Sequence, residues 1–409
     1  MASLPLLLFF LFLSFLFFCL NATSPAQLFF PVTKDLPTLQ YVARIYYGDP
    51  GVPIELVLDL GNPFVWIDCG SVDAPLLRNV IPGCSMKCSK GEVHEIGKKQ
   101  GTCSFSTSCN VSARNGATGV AVQGELAEGV VAVDSGNGFA TVHHFLFSSA
   151  PAFLLQGLAT GSRGMLGLGK SSVSLPSQFG DFSAVTGQRR KFAVCLSPSE
   201  GVVLIGNGDS NFGVEITGSL LYTPLFIINQ DYFIKVQSIK INGKRISIEK
   251  LRLVPDEQGR GGTKLSTTVP YTSMESSIYA AFTKAYAKAA ALMNMTMAEP
   301  VAPFGLCFSS KGIGGSVPEI DLVLQSEMVK WRIDEGNSMV QVSKEVICLG
   351  FVDGGVEQEN SIVIGGLQLE ENFLEFDVGG SRLGFSSSLL MRGKSCSDFR
   401  PSYRGMESL

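Results

Sequence analysis

The sequence predicts a mostly β protein that consists of two related lobes. After residue 39 the chain reads as short runs of β-branched and aromatic residues interrupted by Gly, Pro and Asn, which is typical of strands joined by turns. One segment differs, because Ala, Lys and Met dominate residues 276–294 and apolar side chains recur there at helical spacing, at Ile278, Phe282, Tyr286 and Ala289. We therefore expect one clear helix among many strands.

The two halves of the chain carry a weak repeat of one pattern. A polar turn after an apolar strand at residues 58–61 is followed by an apolar run that ends in Gly at residues 165–167. The same order recurs at residues 265–268 and 362–366. This repeat predicts a duplicated β domain, which we divide into an N-terminal lobe of residues 25–210 and a C-terminal lobe of residues 211–409.

Composition excludes several classes of protein. The chain has 409 residues, of which 45% are hydrophobic and 17% charged, so it is neither disordered nor a coiled coil. Lys and Arg total 32 against 36 Asp and Glu, so the basic excess typical of nucleic-acid binding is lacking. With three His and no CxxC or HExxH spacing, we expect no metal site and no cofactor.

The N-terminus carries a hydrophobic segment at residues 4–20, before the first charged side chain, Lys34. A membrane anchor is one interpretation, since this length nearly spans a bilayer. The position of the segment and the small residues that follow favour a secretory signal peptide, cleaved between Ala22 and Ala26, and we assign residues 1–24 to it. No later apolar run reaches about 18 residues, so we expect a mature protein that is secreted and has no membrane segment.

Cysteine usage also points to an oxidising compartment. Of ten cysteines, Cys19 leaves with the signal peptide, and the nine that remain are an odd number. At least one sulfur must then be free or paired outside the chain. Two glycosylation sequons, at Asn110 and Asn294, agree with secretion.

Several separated blocks resemble known proteins. The turn at residues 58–61 (LDLG), residues 64–67 (FVWI), the two apolar-Gly runs and residues 376–385 (FDVGGSRLGF) resemble the pepsin-type aspartic proteases. A closer resemblance, to the plant xylanase-inhibitor, extracellular dermal glycoprotein and basic 7S globulin family, is carried by residues 191–197, 263–275, 316–324 and 361–366. The resemblance implies a two-lobed pepsin-like fold from about residue 39 to about residue 396.

The catalytic pair that this fold would need is incomplete. An aspartic protease uses two carboxylates that share one proton, each in an Asp-Thr-Gly or Asp-Ser-Gly turn. The first turn keeps Asp59 but has Leu60 where the family has a small hydroxyl residue that locks the two turns together. The second turn has Ser266, whose hydroxyl cannot share an acidic proton. We expect no catalytic residues, and we expect Asp59 to stabilise its own turn.

No other residue restores the pair. Asp134 belongs to an Asp-Ser-Gly sequence in the same predicted lobe as Asp59, and it reads as part of a hairpin turn. Asp256 lies in a Gly-rich stretch and reads as a solvated loop residue. No Tyr occurs between Tyr47 and Tyr222, so the flap tyrosine of pepsin-like enzymes has no candidate.

The resemblance implies a partner. Members of this family inhibit microbial glycoside hydrolases that cut xylan or xyloglucan, and others are seed or wall proteins. An inhibitor of this kind can place a cation between two catalytic carboxylates, and the matching loops of the C-terminal lobe offer Lys311, Arg392 and Lys394. A solvated surface charge is the alternative for each of them. We expect a secreted glycoside hydrolase as partner in the plant cell wall; an altered aspartic peptidase and a storage or peptide-binding globulin remain alternative functions.

The resemblance also implies cysteine pairs. It indicates bridges between Cys307 and Cys348 and between Cys195 and Cys396. Residues 148–151 (SSAP) stand where the family has a cysteine, which leaves Cys69 without its expected partner.

Overall fold

The computed structural model describes most of the chain. The described residues are 28–70, 78–83, 85–91, 107–134, 138–180, 191–206, 216, 218–248, 253–312 and 316–399. The expected signal peptide lies outside this range, as do Cys84 and Cys103.

Strands dominate the first half of the described chain. They are β1 (Leu28–Lys34), β2 (Tyr41–Tyr47), β3 (Val52–Asp59), β4 (Trp66–Ile67), β5 (Asn79–Val80), β6 (Asn110–Arg114), β7 (Ala121–Asp134), β8 (Phe139–Ser149), β9 (Gly164–Gly167), β10 (Lys191–Cys195) and β11 (Glu200–Ile205). Strands β7 and β8 pair antiparallel with Asp134 opposite Phe139, as a hairpin at this point requires.

The second half repeats this character with shorter strands. They are β12 (Leu221–Ile228), β13 (Asp231–Ile234), β14 (Ser238–Ile241), β15 (Lys244–Arg245), β16 (Thr263–Leu265), β17 (Thr272–Met274), β18 (Met297–Ala298), β19 (Cys307–Ser309), β20 (Ile320–Ser326), β21 (Val329–Ile333), β22 (Met339–Gln341), β23 (Val346–Leu349), β24 (Phe351–Asp353), β25 (Ile362–Ile364), β26 (Phe373–Asp377) and β27 (Arg382–Phe385). The mostly β prediction is confirmed.

Helices are few and mostly short. They are α1 (Met86–Gly91), α2 (Leu175–Gly180), α3 (Ser276–Leu292), α4 (Glu335–Ser338) and α5 (Gly366–Leu369), with 3-10 turns at Ala152–Leu155, Ser310–Gly312, Leu389–Arg392 and Cys396–Asp398. Helix α3 is the one expected from the sequence, and the Glu275 side chain caps it by accepting the Ser277 N–H. It buries Ile278, Phe282 and Tyr286 as expected, but Ala290 takes the buried place expected of Ala289.

One sheet of 19 strands runs through both halves, and two four-stranded sheets pack beside it. The halves join where β10 pairs antiparallel with β26. Across this joint the rings of Phe192 and Phe376 stack with their centroids 4.7 Å apart. Among the described residues no helix has the length and apolar character needed to cross a membrane.

Candidate functional site

The two polar turns occupy equivalent places in the sheet. Strand β3 ends at Asp59 and runs parallel to β9. Leu168, the residue that follows β9, donates its N–H to the Asp59 carbonyl at 2.9 Å. Strand β16 runs parallel to β25 in the same way, and Ser266 donates its N–H to the Ile364 carbonyl at 3.0 Å. This arrangement brings Asp59 and Ser266 to the lining of one cavity.

Within each turn the first side chain accepts the same hydrogen bond. The Gly61 N–H donates to Asp59 Oδ1 at 2.9 Å, and the Thr268 N–H donates to Ser266 Oγ at 3.2 Å. Ser266 therefore occupies in the second turn the position that Asp59 occupies in the first. It supplies a hydroxyl there, which is not ionised at working pH and cannot act as the second acid of a pair.

The lock between the turns persists in one direction. The Thr267 hydroxyl donates to the Leu58 carbonyl at 2.8 Å and accepts the Leu60 N–H at 3.3 Å. Leu60 is fully buried in the core and has no hydroxyl to return the contact. The sequence predicts that the contact between the two turns is lost because of Leu60. Thr267 supplies that contact, and the two turns stay joined.

A hairpin closes the cleft from above. It consists of β6, β7 and the turn at residues 115–120, and we call it the flap. The Thr268 hydroxyl donates to the Gly116 carbonyl at 3.1 Å, so the flap touches the second turn directly. A side-chain carbon added at Gly116 would lie 2.3 Å from Asp59 Oδ2, which only glycine avoids. The flap therefore rests on the retained aspartate.

Buried side chains hold the flap in this position. The Asn115 side chain donates to the carbonyls of Leu154 and Gln156 at 2.8 and 3.0 Å. At the base of the turn, the Arg114 carbonyl accepts from Asn62 Nδ2 at 2.8 Å and from Trp66 Nε1 at 2.9 Å. These contacts fasten the flap without the tyrosine that pepsin-like enzymes use.

The space that remains is small. The cavity measures about 20 Å³, and its lining includes Asp59, Asn62, Arg114, Asp231, Lys264 and Ser266. One buried water needs about 10–15 Å³ on this scale, so the cavity has room for one or two waters. A peptide does not fit between the flap and Asp59 in this conformation.

An ion pair that the sequence did not reveal lies beside Asp59. Lys264 Nζ is 2.6 Å from Asp231 Oδ2, and both side chains are largely buried. Asp231 also sits against Gly61, where an added side-chain carbon would lie 2.1 Å from its Oδ1. Asp231 is therefore a second acid near the cavity, but Lys264 neutralises it.

Asp59 is buried, with 7% of its surface exposed. Burial raises the pKa of Asp59 above its ordinary value, and the nearby Asp231 carboxylate acts in the same direction. The Gly61 N–H, Lys264 and Arg114 oppose this rise in pKa without cancelling it. Asp59 consequently favours its protonated form more than an exposed aspartate does.

Asp59→Asn is expected to stabilise the protein at neutral pH. An acid whose pKa is raised by folding stabilises the fold least when ionised, so its contribution is lost as pH rises from the unfolded-state pKa to the folded-state pKa. We expect the variant to gain on the order of 1 kcal/mol in free energy of unfolding near pH 7 and almost nothing near pH 3. Urea unfolding at both pH values measures this, with the exposed Glu257→Gln as control; a loss of stability near pH 7 would refute the account.

Cysteines join distant parts of the chain. Cys195 pairs with Cys396 and Cys307 pairs with Cys348, the pairings that the resemblance implied. Cys88 pairs with Cys109 near the base of the flap. Among the cysteines in the described part of the chain, Cys69 is free and buried, and it is hydrogen-bonded to the Ser149 side chain. Burial raises the pKa of the Cys69 thiol, which keeps it protonated and unreactive.

Ser149→Cys is expected to form a disulfide with Cys69. The variant should lose one titratable thiol and gain about 2–4 kcal/mol in free energy of unfolding, because the bridge restricts the unfolded chain. The neighbouring Ser148→Cys is the matched control, because adjacent residues of β8 point to opposite faces of the sheet. Equal thiol counts in the two variants would contradict the assignment.

The basic candidates lie on two different elements. Lys311 is in the 3-10 turn after β19, its side chain is 75% exposed, and it forms an ion pair with Glu345 at 3.1 Å. Arg392 ends the 3-10 turn Leu389–Arg392 and donates to the Ser219 hydroxyl, and Lys394 follows it closely. Arg392 and Lys394 thus belong to one turn of the chain, and Lys311 belongs to another. The sequon residues Asn110 and Asn294 are both exposed.

The fold and the two turns define a pepsin-like protein in which Ser266 lies at the position of the second turn that Asp59 has in the first. The crystal structure of the aspartic proteinase from Irpex lacteus is similar with a TM-score of 0.59 and 16% sequence identity, and the match covers 89% of this chain and 98% of that chain. This likeness concerns the fold alone, and it confirms the two-lobed pepsin-like prediction.

Two family models match most of the chain. The xylanase inhibitor N-terminal model covers residues 41–207, and the xylanase inhibitor C-terminal model covers residues 231–387. The protein named probable aspartic proteinase GIP2 of Nicotiana benthamiana is 44% identical over 412 residues, with 92% of each chain covered. The crystal structure of edgp has a TM-score of 0.83 and 40% identity, and the match covers 93% of this chain and 99% of that chain. The chain belongs to the xylanase-inhibitor family of pepsin-like proteins, as its sequence blocks predicted.

Proposed function

We propose that the protein is an inhibitor of secreted microbial glycoside hydrolases that cut xylan or xyloglucan, and that it is not a peptidase. The proposal rests on one observation in a chain of the xylanase-inhibitor family. The flap is closed over two turns, of which the first carries Asp59 and the second carries Ser266. With the flap in this position there is no room for a peptide beside Asp59, whereas the outer surface of the fold remains available for a partner.

The proposed contact is a cation inserted between two carboxylates. Glycoside hydrolases carry a pair of Asp or Glu side chains that flank the bond they cut. A guanidinium can bind a carboxylate through two parallel hydrogen bonds, which makes Arg392 the strongest candidate, with Lys394 beside it. Lys311 is the weaker candidate, since an ammonium lacks the planar geometry by which a guanidinium binds a carboxylate through two hydrogen bonds.

Inhibition assays against a panel of xylanases and xyloglucan-specific endoglucanases test the proposal. We expect saturable inhibition of at least one enzyme, with one inhibitor bound per enzyme molecule. If the purified protein inhibits no enzyme of a broad panel, the inhibitor function is wrong, and a storage or peptide-binding role takes its place.

An altered peptidase is the second candidate function, and Asp231 is the observation that favours it. Asp59 and Asp231 line the same cavity and repel each other electrostatically. Against this candidate, Lys264 holds Asp231 in an ion pair and the flap leaves no room for a peptide. Peptide cleavage that Asp231→Asn and Asp59→Asn each abolish would support it.

We also propose the location and organisation expected from the sequence. Residues 1–24 direct secretion to the cell wall, residues 25–210 and 211–409 form the two lobes, and Asn110 and Asn294 are glycosylated. Three disulfides within the described residues support an oxidising compartment. Mass spectrometry of the protein purified from wall extracts measures the mature N-terminus and both sites.

A further inference from the structure

One buried glutamate holds both ends of the segment that carries Arg392 and Lys394. We call residues 389–396 the presented segment. At its start, the Leu389 N–H donates to the Glu371 carbonyl at 2.7 Å. At its end, the Cys396 N–H donates to Glu371 Oε2 at 2.9 Å and the Ser395 hydroxyl donates to Glu371 Oε1 at 3.1 Å. Glu371 thus closes the base of the segment.

The backbone of Glu371 is held in an unfavourable conformation. Its φ is 56°, in the left-handed region that is unfavourable for a residue with a side chain. The Glu371 N–H donates to the Leu196 carbonyl at 2.7 Å, and this bond fixes the residue next to the Cys195–Cys396 bridge. Backbone strain of this kind persists where surrounding contacts determine the conformation, and strained residues of this kind cluster at functional sites.

The presented segment combines a buried anchor with an exposed tip. Leu389 is fully buried, whereas Leu390 is 58% exposed and Met391 is 69% exposed. Gly393 turns the chain in the left-handed conformation, and the Lys394 N–H returns to the Leu389 carbonyl at 3.1 Å. Two large apolar side chains therefore stand in solvent directly beside the basic pair, on a turn closed by its own hydrogen bonds.

We propose that Glu371 is a positioning residue that fixes the presented segment as one rigid contact surface, in which Leu390 and Met391 accompany Arg392. The partner that fits this surface is a cleft with apolar walls and carboxylates at its floor. This choice of partner rests on the proposed function. A substrate cleft combines apolar walls with a few polar groups, which match the exposed apolar side chains and the cation of the segment. A surface ordered in advance loses less conformational entropy on binding.

Hydrogen exchange of the full-length protein tests the clamp without any partner. Glu371→Ala should raise exchange in residues 389–396 at least about tenfold and leave β20 unchanged. Glu371→Gln should stay close to the parent, because its amide can accept the Cys396 N–H and donate to the Ser395 hydroxyl. The matched control is Glu370→Gln, a neighbouring buried glutamate whose carboxylate instead binds Lys34 and the Tyr41 hydroxyl, each at 2.7 Å.

Binding to an enzyme that the parent inhibits supplies the second readout. We expect Glu371→Ala to weaken that affinity about tenfold and Glu371→Gln to restore it. Unchanged exchange in Glu371→Ala overturns the clamp, and faster exchange with unchanged affinity overturns its role in binding. A parent that inhibits nothing refutes the proposed function instead, and hydrogen exchange alone then decides the clamp.

Discussion

Thr267→Val is expected to lower the free energy of unfolding by about 2–4 kcal/mol. Valine has the shape of threonine but lacks the hydroxyl that donates to the Leu58 carbonyl and accepts the Leu60 N–H. Both backbone groups belong to a fully buried part of the first turn, so each would lose its partner away from water. The cost is large because this one side chain joins the two turns.

Urea unfolding followed by fluorescence measures this loss of stability. The matched control is Thr283→Val on helix α3, where the threonine is only partly buried and its hydroxyl donates within its own helix. We expect the control to change stability by no more than about 0.5 kcal/mol. An equally small effect of Thr267→Val would mean that the turns are held together by other contacts.

Arg392→Ala is expected to weaken binding to the inhibited hydrolase by about 2–5 kcal/mol, which is roughly 30-fold to several thousand-fold in affinity. A cation that enters a cleft lined by carboxylates leaves them unpaired when it is removed. Titration of enzyme activity with each variant measures the effect. If Arg392→Ala leaves the affinity unchanged, Lys394→Ala and Lys311→Ala show which of the two lysines enters the cleft.

Lys288→Ala, at an exposed position on helix α3, is the control for that series and should bind like the parent. If Arg392→Ala, Lys394→Ala and Lys311→Ala all inhibit as well as the parent, the contact site is wrong even though the protein is an inhibitor. A smaller loss shared by Arg392 and Lys394 would place both at the edge of the contact, where charges are solvated.

The sequence correctly predicts the features that depend on local patterns of residues. Helix α3 follows from apolar spacing, the strands follow from β-branched runs, and the family follows from blocks whose order survives in the chain. The repeat predicts Ser266 at the position equivalent to Asp59, because each follows an apolar strand. Pseudo-symmetric contacts in the two turns agree with that placement.

The features that the sequence does not predict depend on contacts between distant segments. Asp231 meets Lys264 only because β13 pairs with β16, and no spacing in the sequence indicates that pair. The sequence does not distinguish Gly116 from the other glycines among its 45, whereas the structure places Gly116 against Asp59. Nothing in the sequence distinguishes Thr267 from the other polar residues of the second turn, although its hydroxyl joins that turn to the first one.

A peptidase assay of the purified protein tests the central claim most directly, which is that this pepsin-like cleft is closed and has lost its acid pair. Casein and haemoglobin should remain intact from about pH 2 to about pH 7, and pepstatin should not bind tightly. Ser266→Asp should be equally silent, because the flap still rests on Asp59 and leaves no room for a peptide. Cleavage by the parent protein that pepstatin blocks, in a preparation free of other proteases, would contradict the account.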